Sequence, residues 1–324
     1  MMKRPTTSFA LFAACVCAHF HAHAQTPFPN RVVRIVVPST SGGGGDALAR
    51  LMAHHLSERW GKQVVVENRT GASNMLGGEF VAKAPPDGHV LLNGLSTLAI
   101  NPSTHKKVLY DATRDFAPVV HAISIPNIVL VHPSLPAKTT LELATVARSR
   151  PGQLLYGSGG HGTNNHLVME LFGAMTHTKL THVPYKNSGP ALVDTIGGQL
   201  MIFATNMIGG IAHARSGRLR AIGVTSLTRA SGAAEIPTLH ESGLPGFEAV
   251  QWYGLLAPAA TPRDITDKIY RDASAVLKLP EVRDRLSADG ATVVGNNGEQ
   301  FAAFIKSETV KWAKVVKAAG IVPE

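Results

Sequence analysis

The sequence predicts an α/β protein of two lobes, each built around a parallel-rich sheet. Strand and helix patterns alternate β-α-β-α-β in the first part of the chain and alternate again in the second, the order that builds parallel sheets covered by helices. Each half carries one glycine-rich turn between a strand and a helix. The 324 residues, 44% of them hydrophobic, suffice for one large core or two ordinary ones.

Arg31 to Val37 is a β-branched run closed by Pro38, a strand signal. A glycine turn follows, and Asp46 to Trp60 has apolar residues at helical spacing (Leu48, Leu51, Met52, Leu56) before Gly61 ends it. Val64 to Glu67 reads as the second strand, Met75 to Lys83 as a helix and Val90 to Leu92 as the third strand. Strands near Ala117 to Ile123 and at Asn127 to Val131 come next, then a helix over Thr140 to Arg148. The second half places strands at Leu154 to Tyr156, Thr181 to Val183, Leu200 to Ala204 and Leu219 to Val224. Helices lie between them at Asn164 to Met175, Pro190 to Ile196 and Met207 to Ala214. After a Pro/Gly/Ser-rich loop from Ser231 to Gly246 come a strand, Gln251 to Ala257, and helices over Pro262 to Lys278 and Glu299 to Ala319. The last stretch is expected to return to the first lobe, giving lobe one as residues 25–124 and 249–324 and lobe two as 125–248. Crossings between the lobes are expected in the loop-rich segments beside the strands near Ala117 to Ile123 and Gln251 to Ala257.

Residues 1–24 have the order of a secretory signal. Lys3 and Arg4 supply the positive start, Ser8 to Ala18 a short apolar stretch, and Ala22-His23-Ala24 the small-x-small cleavage pattern. The mature chain is expected to begin at Gln25 in the periplasm. The only two cysteines, Cys15 and Cys17, would leave with the leader, and so would the histidine tract at His19, His21 and His23. Lipidation at Cys15 fits poorly, because Phe12 stands three positions before it. No later apolar run is long enough to span a bilayer. The formal net charge of +9 becomes +7 without Lys3 and Arg4, with the basic residues scattered. Without a basic stripe interleaved with aromatics, nucleic acid is not an expected partner; scattered solvated charge, able to steer an anionic solute, is the better reading.

The two glycine turns are the candidate site. Loop one runs Pro38-Ser39-Thr40-Ser41-Gly42-Gly43-Gly44-Gly45-Asp46, and loop two Tyr156-Gly157-Ser158-Gly159-Gly160-His161-Gly162-Thr163-Asn164-Asn165-His166. Open α/β sheets bind ligands at the carboxyl ends of parallel strands. Glycine admits close backbone approach, and free N–H groups at a helix start attract an anion. Either turn alone is equally well a tight connection; the matched pair favours binding of a small carboxylate, with no arginine in either loop. Asp46, a negative charge beside the proposed anion, is expected to cap its own helix or hold a water.

A rival reading uses the same residues. Gly42 to Ala47 satisfies G-x-G-x-x-A and Glu67 ends the next strand, as in a dinucleotide-binding enzyme. Four successive glycines match many glycine templates, and Asp46 would repel a pyrophosphate. A hydrolase built on Ser158, His166 and an aspartate has no supporting spacing. The sequence contains no G-x-S-x-G, P-loop or H-E-x-x-H, and His161 and His166 do not have a metal-ligand spacing. No enzyme activity, cofactor or metal is expected.

In order along the chain, the sequence resembles the Bug family, periplasmic solute-binding proteins of tripartite tricarboxylate transporters. The matching segments are Phe28-Pro29-Asn30-Arg31, Val65 to Arg69 with Gly71-Ala72, Ala84 to Gly88, Asp115 to Val119, His182 to Lys186, Gly197-Gly198-Gln199, Glu241 to Gly246, Trp252 to Pro258 and Lys311-Trp312. The resemblance implies a type II "Venus flytrap" fold, working as a monomer that serves membrane transporter subunits or a sensor. Both loops would then hold a ligand carboxylate through backbone N–H groups. The ligand-binding residues it implies are Ser39, Thr40, Ser41, Gly42, Gly43, Gly44, Gly45 and Asp46 with Gly157, Ser158, Gly159, Gly162 and Thr163. Ser96, Thr97 and Asn206 at strand ends are further candidates, and Trp252 and Tyr253 would form a cleft wall or pack in the core. The chain departs from the family at Ser39-Thr40-Ser41, where Phe-Ala-Ala is usual, at Gly45, where Thr is usual, and at Thr205, where many relatives carry Asp.

Overall fold

A computed structural model describes residues 28–288 and 290–323. The leader, its cysteines and the cleavage site after Ala24 lie outside the described residues.

The first half builds a parallel set. β1 (Val33–Val37) is flanked by β2 (Val64–Asn68) and β3 (Val90–Leu95), both parallel to it. Four of β1's five residues are buried, which is why it reads as a continuous Val/Ile run and not as an alternation. α1 (Gly44–Trp60) and α2 (Met75–Ala82) connect these strands, and α3 (Thr97–Thr104) follows β3. The second half repeats the device: β5 (Leu155–Ser158) pairs in parallel with both β6 (Thr181–Pro184) and β7 (Ile202–Asn206). Its helices are α4 (Thr140–Ser149), α5 (Asn164–Thr176), α6 (Ser188–Ile196) and α7 (Met207–Arg215), and β8 (Arg220–Val224) closes it.

Between these sets runs β4 (Phe116–Val131), one strand of 16 residues where the sequence predicted two. From Phe116 to Pro126 it pairs antiparallel with β9 (Val250–Pro258), and from Asn127 to Val131 with β7 and, from Ile128, β8. The change of partner falls at Pro126, whose missing N–H suits a place where one ladder ends and another begins. The crossing therefore sits inside paired strand rather than in a loop. Polar groups hold it: Asn127 N–H donates to Thr225 Oγ1 (2.8 Å), and Asn127 Nδ2 and Thr225 Oγ1 donate to the Ala249 carbonyl (2.6 and 2.7 Å).

After β9 the chain forms α8 (Arg263–Leu277), α9 (Pro280–Ala288), β10 (Thr292–Asn297) and α10 (Gly298–Ala318). α3, α9 and β10 were not legible in the sequence. α3 contains Pro102 and follows an apolar strand without a loop, while α9 and β10 are short and weakly apolar. α8 packs on α1, whereas α10 packs on α3 and β4 and also reaches α5. Trp312 of α10 is fully buried in one apolar cluster with Leu92 and Phe116 of the first half and Phe172 and Met169 of the second. The last helix thus braces both halves, which the sequence reading had assigned to lobe one. Trp252 is 0% exposed against Phe301 and Phe304, which places it in the core and not on a cleft wall.

Candidate functional site

Loop one leaves the carboxyl end of β1 and enters α1, whose N-cap is Gly43. Thr40, Ser41, Gly42 and Gly43 are exposed, Ser39 and Gly44 half-buried, and Gly45 and Asp46 buried. The four glycines serve different ends. Gly42 has φ +87°, which glycine adopts without strain. A Cβ on Gly44 or Gly45 would strike the Tyr253 ring, at 3.3 Å from its hydroxyl and 2.8 Å from its Cε1 respectively. A Cβ on Gly43 would meet nothing nearer than the Thr40 carbonyl at 3.8 Å, so that position is open to an incoming group. Tyr253 is therefore the floor beneath loop one; burial pushes its hydroxyl up to about 12, against a hydrogen bond from the Gly45 backbone.

Asp46 does not cap its own helix. Its Oδ2 accepts from Ser41 Oγ (3.2 Å), Gly42 N–H (3.0 Å) and Arg50 Nε (2.9 Å). Its Oδ1 accepts from Arg50 Nη2 and Asn68 Nδ2 (both 3.0 Å), and Asn68 also donates to the Ser39 carbonyl (3.0 Å). Burial raises the Asp46 carboxyl, but the Arg50, Gly42 and Asn68 hydrogen bonds and the Arg50 charge outweigh it and hold the group well below the usual carboxylate range. Arg50, one helical turn on, thus neutralises the charge that the sequence left facing an anion, while Asp46 ties the loop together. The first amides of α1 have no partners within the helix, and apart from Gly45 N–H, which donates to Tyr253, they favour a negative charge nearby.

Loop two is more self-engaged than the sequence suggested. Ser158 Oγ, 0% exposed, accepts from Gly160 N–H (3.0 Å) and lies 2.6 Å from His182 Nε2. Gly162 N–H donates to His166 Nδ1 (3.0 Å), and Thr163 N–H and Oγ1 donate to the Gly160 carbonyl (3.4 and 2.7 Å). These bonds occupy several amides that were expected to face the ligand. Gly157 is packing: a Cβ there would stand 2.6 Å from Leu200 Cδ1. Gly159 is crowded too, 2.9 Å from Ser188 Oγ. Gly162, at φ +67°, packs against α3 of the first half, 2.9 Å from Thr104 Cβ if a methyl were added. Loop two therefore closes on the element that follows β3.

Of the strand-end candidates, Ser96 is fully buried and donates to Gln251 Oε1 (3.0 Å), and Thr97 is buried and accepts from Asn74 Nδ2 (3.2 Å). Asn206 caps α7 by accepting from Gly209 N–H (2.9 Å). All three have structural work at the ends of β3 and β7. The structure singles out further residues around the two loops. Asn93, the polar residue in the otherwise apolar β3, donates to the Gly45 carbonyl (2.8 Å) and leaves its Oδ1 unpartnered. Asn164, first residue of α5, is buried with both amide atoms unpartnered. His161 is exposed on loop two. An asparagine inside an apolar run was the only sequence signal for Asn93, which the sequence reading missed; Asn164 and His161 lay within loop two as read, but nothing in the pattern set them apart there.

Three histidines meet behind loop two. His166 and His182 stack with centroids 3.9 Å apart and planes 10° apart, and His161 lies perpendicular to both. The three residues' donor atoms come within 4.8 Å of one another. The stacked rings, however, send their in-plane lone pairs in parallel directions, and His166 Nδ1 and His182 Nε2 are engaged with Gly162 and Ser158, so the rings would have to turn to share an ion. Burial pulls His166 down to about 3 and His182 to about 4, each lowered further by neighbouring histidines. Both are neutral and shape the loop. Ser158 pairs with His182 rather than with the His166 of the hydrolase reading, and it is fully buried. Glu67, the ribose-binding acid of the dinucleotide reading, is held by Arg34 at 3.2 Å and by Arg69.

The profile of the tripartite tricarboxylate transporter family receptor matches residues 48–321. This chain belongs to that family of receptors. It is 34% identical over 321 residues to the protein BugT of Bordetella pertussis, covering 98% of each chain. In fold it is similar to an R. palustris protein solved with adipate (TM-score 0.82, 35% identity, 92% of this chain and 100% of that one). It is also similar to MatC from Rhodopseudomonas palustris with bound malate (TM-score 0.76, 31% identity, 89% and 100%). The membership favours a solute receptor over the dinucleotide-enzyme reading, and Glu67 is engaged in ion pairs.

Proposed function

We propose that this receptor binds a small dicarboxylate of the adipate or malate class in the periplasm and presents it to the membrane subunits of a tripartite transporter. The protein would be a monomer that performs no catalysis and needs no cofactor. Lobe one would comprise residues 25–124 and 249–324 and lobe two 125–248, hinged near Pro126-Asn127 and Ala249-Val250, with export leaving Gln25 at the N-terminus. One carboxylate would lie between the exposed Thr40 to Gly43 and the Gly159 to Thr163 turn, held by backbone N–H groups and short hydroxyls. Asn164 and His161 are added to the expected contacts.

The observation that carries this reading is the neutralisation of Asp46 by Arg50 behind an exposed glycine helix start. It leaves α1 with an attractive end for an anion and no repelling charge. The solved relatives with adipate and malate support this choice of solute class. Helix-start attraction of about 0.3–1 kcal/mol at an exposed site, roughly 2 where partly buried, plus several hydrogen bonds, is compatible with a micromolar dissociation constant, about 8 kcal/mol. The test is mass spectrometry of solute retained through gentle purification, followed by calorimetry with adipate and malate. A retained carboxylate released unchanged supports the reading. Turnover of that solute, or failure of every small dicarboxylate to bind, overturns it.

A further inference from the structure

Two imidazoles and a carboxylate converge on the outer face of α1, a feature that solute capture does not use. His54 Nε2 stands 3.6 Å from Glu58 Oε1, one helical turn away, and His55 Nδ1 stands 3.7 Å from Glu58 Oε2. The three ligating atoms lie within 4.8 Å of one another, and the two rings meet at 61° with centroids 5.0 Å apart. Unlike the stacked pair behind loop two, these rings are not parallel, and each turns a different nitrogen toward the same carboxylate.

We infer that His54, His55 and Glu58 bind a first-row transition-metal ion of the zinc type, with water completing its shell. Tetrahedral zinc with bonds of about 2.0–2.1 Å separates neighbouring donors by about 3.3–3.4 Å. The His–Glu distances exceed that by a few tenths of an ångström, within reach of small rotations of exposed side chains. His54 and Glu58 are 67% and 64% exposed, so they are free to turn, whereas His55 at 16% is held and supplies the fixed ligand. Two imidazoles with one carboxylate suit zinc, nickel or copper and not magnesium or calcium, which take oxygen ligands. The adjacent cations do not compete: Arg59 Nε is bound to Asp272 at 2.6 Å, and Lys268 to the same carboxylate at 2.9 Å. A cavity of about 330 Å³ lined by His55, Glu58, Arg59, Ala275, Val276 and Leu279 leaves room beside the site. As an exposed ion pair alone, the cluster would contribute little.

His54 lies eleven residues along α1 from Gly43, roughly 16 Å at helical rise, so the ion and the solute would bind independently. The test is titration of tag-free protein with Zn²⁺ alone, followed by calorimetry, thermal shift and the d–d absorption of Co²⁺ as a replacement. One ion per chain is expected, with a raised midpoint of unfolding. His54→Ala and Glu58→Gln should each weaken Zn²⁺ binding by more than about tenfold. Both variants should retain the parent's adipate affinity, and His161→Ala should leave the metal site unchanged. Absence of Zn²⁺ binding by the parent overturns the proposal. So does binding that survives both α1 substitutions or is lost only on changing His161. Failure of adipate to bind any of these proteins would count against the solute reading and leave the metal result standing.

Discussion

Asp46→Asn tests whether an ion-paired carboxylate, rather than glycine flexibility alone, shapes loop one. An amide has one oxygen for the five hydrogen bonds the carboxylate accepts. If the oxygen keeps Ser41, Gly42 and Arg50 Nε, then Arg50 Nη2 and Asn68 Nδ2 face an NH₂ group. Two bonds to a charged acceptor, at about 1.5–3 kcal/mol each, are lost, less what the half-exposed Arg50 and Asn68 recover from water, so the cost is about 2–4 kcal/mol. Urea unfolding at pH 7 should report that loss, and calorimetry with adipate should show affinity reduced by about tenfold or more, since about 1.4 kcal/mol of lost loop order suffices. The acid limb supplies a second check. The parent's carboxyl lies below its ordinary value of 3.8, so its contribution is present above that value and declines as pH falls below it. The Asn variant has no such carboxyl, so the gap between the two proteins should narrow below about pH 4. A variant as stable as the parent at pH 7, or a gap that stays constant into acid, refutes the reasoning.

Gly43→Val should leave the urea midpoint near that of the parent while abolishing adipate binding, because no atom lies nearer a Cβ there than 3.8 Å; Gly159→Val should lose stability as well, since Ser188 Oγ would stand 2.9 Å away. Lys186 is exposed, and Lys186→Ala should change affinity far less than Gly43→Val; the reverse order would make the site a conventional ion pair. Trp312→Ala should cost about 3–5 kcal/mol in chemical unfolding, as a fully buried large aromatic shared by both halves. His166, lowered to about 3, and His182, lowered to about 4, stay neutral when folded but take protons when unfolded, so stability should fall as pH drops from about 6.5 toward 4; His166→Gln, which keeps an acceptor for Gly162 N–H, should flatten that slope. Saturating solute should shrink the radius of gyration in small-angle scattering, and an unchanged radius would count against closure of the lobes.

Local signals determined most of the elements and both candidate loops. The Val/Ile run of β1, the helical spacing of Leu48, Met52 and Leu56, and two strand-glycine-helix junctions are periodicities and backbone requirements within a few residues, legible without a partner. The ordered short matches from Phe28 to Trp312 were enough to point to the family. What the sequence could not carry were relations between distant residues. Only the fold brings Asn68 to Asp46 and sets Tyr253 beneath Gly44 and Gly45. Arg50 was visible one turn from Asp46, but its role depends on the buried position that the tertiary structure gives the carboxylate. His182 joins His166 because β6 pairs with β5, and Asn127 meets Thr225 and Ala249 where β4 changes partners. Burial, charge neutralisation and packing depend on what lies across space. The sequence therefore placed the loops, and tertiary contacts decided which of their groups are engaged within the fold and which remain free.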